Sequence, residues 1–85
     1  MNSRERELCT RGSIAAAARQ IGEEAALEAM RTLTIAAPEE VQGSWPLVIA
    51  YSRLQIAYED SMNMGDTKTA MMASEMQSKM IRDLY

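Results

Sequence analysis

Three observations predict an all-α chain, a small antiparallel bundle of three helices. Thirteen alanines and 8 methionines stand against two valines and no phenylalanine in 85 residues. That composition favours side chains that lose little freedom in a helix over the branched and aromatic ones that pack on sheets. No stretch alternates apolar and polar residues with period two. Only Pro38, Pro46 and four glycines punctuate the chain, so long uninterrupted segments are expected between them. With 47% hydrophobic and 25% charged residues, the chain reads as one folded domain spanning 1–85.

Residues 1–12 form an N-terminal arm in which a short helix over 3–10 is expected, because Asn2 followed by Glu5 has part of the pattern of a capping box. A break or bend at Gly12 follows. The first long helix is predicted over 13–33, with Ser13 as N-cap and Ile14, Ala18, Ile21, Ala25 and Ala29 along one face. Within it Ala18, Gly22 and Ala26, spaced by four, would let a neighbouring backbone approach closely. Residues 34–44 form the connector. Pro38 suits the first position of a single helical turn, Glu39 and Glu40 favour its positive end, and Gly43 stops it.

The second long helix, over 45–63, is expected to be capped by Ser44, with Pro46 in its first turn where a missing N–H costs nothing. Leu47, Ala50, Tyr51, Leu54, Ala57 and Tyr58 form one apolar stripe and Trp45, Ile49 and Ile56 another, which places this helix centrally. Arg53 is expected to lay its methylenes on Ile49 and Ile56 and send its charge to solvent. Gly65 and Asp66 read as a helix stop and a new N-cap, making a hairpin. The third helix, over 67–84, sets Ala73, Met76, Met80 and Leu84 on one face. Helices of similar length joined by short connections give an up-down-up bundle.

The inventory of reactive groups is short. There is no histidine and only one cysteine, Cys9, so the usual zinc ligand sets and any internal disulfide are ruled out. No catalytic residue, metal ligand or cofactor is expected. Glu23-Glu24, Glu39-Glu40 and Glu59-Asp60 read as solvated faces, and Asn63-Met64-Gly65-Asp66 is too short to replace a calcium-binding loop. Cys9 is expected to behave as a small buried hydrophobe in a reducing, cytoplasmic setting. No apolar run approaches the roughly 18 residues of a spanning helix, so no membrane association is expected.

One segment resembles the helix-turn-helix motif of DNA-binding proteins. Ala18 and Gly22 match its small residue and turn glycine, and Ile14, Ala17 and Ile21 fall at its apolar positions. The second half departs from the pattern. Glu23 follows the glycine, and Glu28 and Arg31 occupy positions that should pack inside, which would bury charge. The resemblance implies a DNA-binding protein, such as a small phage regulator or packaging subunit, with Arg4, Arg6, Arg11 and Arg19 on phosphates. An acidic second helix opposes it.

Charge is segregated along the chain. Residues 23–66 carry eight carboxylates against Arg31 and Arg53, a net charge of −6. Glu23, Glu24, Glu28, Glu39 and Glu40 are expected to form one negative patch able to steer a basic protein partner. Met71, Met72 and Ile81, off the main stripe of the last helix, are the expected self-association residues of a homodimer. The leading functional expectation is a non-enzymatic interaction module, an adaptor or inhibitor. One concrete version is a phage or mobile-element inhibitor of a host nucleic-acid machine. A DNA-binding protein and a purely structural oligomer subunit are the alternatives.

Overall fold

The computed structural model describes residues 3–11 and 14–85, which form helices and no strand. Six helices follow in order: α1 (Ser3–Arg11), α2 (Ile14–Ile21), α3 (Glu23–Ala36), α4 (Glu39–Gln42), α5 (Trp45–Asn63) and α6 (Thr67–Arg82). The all-helical class agrees with the sequence. Asn2, Gly12 and Ser13, where caps and a bend were expected, lie outside the described residues.

The single long helix expected over 13–33 is two helices. Gly22 separates them with φ +93° and ψ 153°, a conformation almost confined to glycine, while its amide still bonds the Ala18 carbonyl at 2.8 Å. The two segments present different faces to the core. Ala17 is buried on α2, and Ala26, Ala29 and Leu33 are buried on α3. A straight helix would have put Ala18 and Ala25 inside; both are only half-buried. Because α3 starts directly after Gly22, with Glu28 and Arg31 both 71% exposed, the second half of the helix-turn-helix motif is not built.

Pro38 stands one place earlier than expected, capping α4 ahead of Glu39, and Val41 then anchors this turn with no exposure. Ser44 precedes α5 as expected, but its hydroxyl makes no capping bond; its carbonyl accepts the Val48 amide at 3.0 Å. The α5–α6 hairpin forms as read. Gly65 has φ +75°, and Asp66 accepts the Thr69 amide at 3.1 Å and the Thr69 hydroxyl at 2.6 Å.

α5 packs against α1, α3, α4 and α6, so it is the central element. The residues it buries differ from the expected stripes: Val48 and Ser52 lie on one side of the helix and Ser61 on the opposite one. Trp45, Leu47 and Tyr51 pack half-buried beside them, and Ala57 is exposed. The residues α6 buries nearest its start, Ala70 and Ala73, are small and allow close approach. Gln77 Nε2 then ties α6 to α5, donating to the Gln55 side chain at 3.1 Å and, at 3.4 Å, to the Tyr51 carbonyl. Met76 was expected to face inward and instead is 57% exposed, its place taken by Gln77.

The main core joins Cys9, Ala17, Ala29, Leu33, Ala37, Val41 and Val48. Most of these are small, so the core is thin, and the molecule measures 36 × 33 × 17 Å, about two helix layers deep.

Candidate functional site

The outer face of α3 carries the most distinctive arrangement of side chains. At 3.6 residues per turn, Glu24, Leu27, Glu28, Arg31 and Ile35 fall within a sector of roughly 100°, opposite the buried Ala26, Ala29 and Leu33. Leu27 is 59% exposed and Ile35 72%, although both are large and apolar. They stand about two turns, ~12 Å, apart. Glu23 and Glu24 occupy the first turn, where their charge is favoured by the helix dipole, and Glu28 pairs with Arg31 at 3.6 Å. The face is therefore a pair of apolar anchors set among carboxylates.

Sequence reasoning found these carboxylates and missed the anchors. A helix assumed continuous from 13 to 33 puts the apolar stripe on Ala25 and Ala29, and leaves Leu27 and Ile35 unremarked. Leu27 lies opposite that stripe on either helix, and Ile35 falls beyond 33 because α3 runs on to Ala36.

Glu39 and Glu40 do not join Glu23 and Glu24. The 14 residues of α3 span about 20 Å at 1.5 Å per residue, so the two pairs lie at opposite ends of the helix. Glu40 has a local role, accepting the Tyr85 hydroxyl at 3.1 Å, a bond that holds the phenol above its usual titration range.

Among the described residues, Arg6 and Arg11 of the N-terminal region have carboxylate neighbours. Arg6 lies 2.7 Å from Glu59 on α5, and Arg11 lies 3.7 Å from Glu7. Arg4 and Arg19 are exposed. Arg53 is exposed, as expected, and also donates through Nε to the carbonyl of Thr10. Thr10 lies in the last turn of α1, where carbonyls lack helical partners, so the guanidinium caps α1 from α5.

A cleft of about 260 Å³ opens between α1, α3 and α5, lined by Arg6, Leu33, Ala37, Tyr51, Ser52 and Gln55. Its charged group is Arg6, the residue beside Glu59. Cys9 lies elsewhere in the core with no exposure, and burial first, the Glu5 carboxylate second, raise its thiol above the ordinary range. It is held as a neutral, enclosed thiol. Among the described residues no three of Cys, Asp and Glu converge as metal ligands, and no helix is long and apolar enough to cross a membrane.

The three self-association residues separate. Met71 and Met72 are 64% and 55% exposed on α6, whereas Ile81 packs half-buried against the chain's own core.

No protein-family model, characterised protein or solved structure matches the chain.

Proposed function

We propose that this chain is a non-enzymatic interaction module that binds a basic protein partner through the outer face of α3. One observation carries the reading: two large apolar side chains, Leu27 and Ile35, stand in solvent on the same helical face as Glu24 and Glu28. Protein interfaces concentrate their energy in a few apolar anchors that become dry on binding, while charges around them direct encounter and reject wrong partners. The partner fitting this face offers two apolar depressions about 12 Å apart, bordered by lysine or arginine. An inhibitor covering a basic functional surface is one form such a module takes.

The test is affinity capture from the native cell by the full chain, followed by quantitation of each captured protein. Glu23→Lys/Glu24→Lys/Glu28→Lys should lose a basic partner, and Leu27→Asp/Ile35→Asp should lose the same one, with helical circular dichroism unchanged. Capture that survives both variants removes α3 from the reading. A gel shift on duplex DNA, weakening steeply with salt, would favour the DNA-binding alternative instead.

A further inference from the structure

α6 packs chiefly on α5, and the side of α6 turned away from α5 is organised. Met72, Glu75, Met76, Lys79 and Arg82 border a surface hollow of about 260 Å³, with Met72 55% and Met76 57% exposed. This face mixes both signs of charge around two methionines. An acidic partner would leave Glu75 unmatched and a basic one Lys79 and Arg82, whereas a second copy turned end over end can pair Glu75 with Lys79 in both directions.

The surface area of the chain points the same way. A folded monomer of 9.5 kDa should expose roughly 5,000 Å² by the usual scaling with mass, and this chain exposes 5795 Å². Its radius of gyration of 13.2 Å also exceeds the ~12 Å expected for 85 residues. The surplus, roughly 700–800 Å², is spread over a flat molecule of 36 × 33 × 17 Å and is comparable in size to the area each partner buries in an interface of standard size, about 800 Å².

We infer that the outer face of α6 binds a second copy of the chain, in an antiparallel contact about a two-fold axis at the level of Gln77. In that register Met76 meets Met76 of the second copy beside the axis. Residues 75 and 79 lie ~3 Å to either side of it along the helix, so Glu75 falls opposite Lys79 of the second copy, twice over. Met72 comes to lie beneath the aliphatic stem of the second copy's Arg82. The helix dipoles oppose, which favours this direction over the parallel one. The contact uses a surface separate from α3 and does not depend on the partner proposed there.

Sedimentation equilibrium on the full chain tests it. The wild type should weigh twice its 9.5 kDa at micromolar concentration. Met76→Glu, which sets two charges against each other at the axis, should weaken association about tenfold or more, as should Glu75→Lys or Lys79→Glu alone. Combining Glu75→Lys with Lys79→Glu should restore the dimer, since the pairing is only exchanged. Circular dichroism confirms that each variant is folded, and should Met76→Glu unfold, the charge exchange alone decides. A monomeric wild type, or a double exchange no better than the single changes, overturns the inference.

Discussion

α3 and α6 are comparable in length, 14 and 16 residues, and are fastened to the molecule in opposite ways. α3 is gripped from several directions by α1, α2 and α5, and it contributes Ala29 and Leu33 to the main core. α6 rests chiefly on α5, contributes Ala70 and Ala73 outside that core cluster, and is tied by the bonds of Gln77. Each nevertheless leaves large apolar residues in solvent: Leu27 and Ile35 on one, Met71, Met72 and Met76 on the other. A helix held on one face can spend the other on contacts outside the chain. The difference suits the rigid α3 to a demanding partner and the methionine-bearing α6 to an adaptable, self-complementary contact.

The sharpest way to break the comparison is to empty the grip on α3. Leu33→Ala, at a site 4% exposed, should cost about 2–5 kcal/mol by urea denaturation, whereas Leu27→Ala on the opposite face should cost about 0.5 kcal/mol or less. An 85-residue chain holds only roughly 4–13 kcal/mol in total, so the first change brings it near unfolding. Equal costs at the two positions would show that Leu27 is not a solvent-facing anchor.

Next in size is the break that sets the direction of α3. A Cβ at Gly22 would meet no atom within 4 Å, so the penalty of Gly22→Ala is conformational, about 1–3 kcal/mol at φ +93°. A variant as stable as wild type and more helical by circular dichroism would mean that α2 and α3 fuse into one helix, and that Gly22 does not set the direction in which α3 leaves α2.

The smallest effect concerns the start of α6. The Thr69 hydroxyl first and the Thr69 amide second hold the Asp66 carboxyl below its usual range. A carboxyl whose titration is depressed by folding adds stability above its unfolded pKa, about 3.9, and that contribution is lost as pH falls through the lower folded value. Asp66→Asn should therefore flatten the acid limb of the Tm profile below about pH 4, with little change at neutral pH. An unchanged acid limb would show that this cap does not secure α6.

Much of this architecture was legible in the residues. α5 was bounded by Ser44, Pro46 and Gly65, and the start of α6 by Asp66, because such signals act within one turn and need no tertiary partner. The break at Gly22 was not, since a glycine inside a helical pattern is tolerated as often as it ends one, and the choice belongs to packing that the sequence does not display. The missed anchors have a simpler cause: Leu27 sits opposite the alanine stripe even on a continuous helix, and Ile35 lies past 33, where the helix was expected to end. The inward position of Gln77 escaped as the break at Gly22 did: a polar side chain can be buried when partners such as Gln55 and the Tyr51 carbonyl await it, and those lie on another helix. The exposed carboxylates were found as charges, but their separation along α3 required the length of the helix.

The most direct test of the functional reading is to quantify capture of a basic protein from the native cell by the wild-type chain and by Glu23→Lys/Glu24→Lys/Glu28→Lys, side by side and at equal helicity. The α3 face predicts a partner held by the first and absent from the second. The same proteins held in the same amounts by both would contradict it.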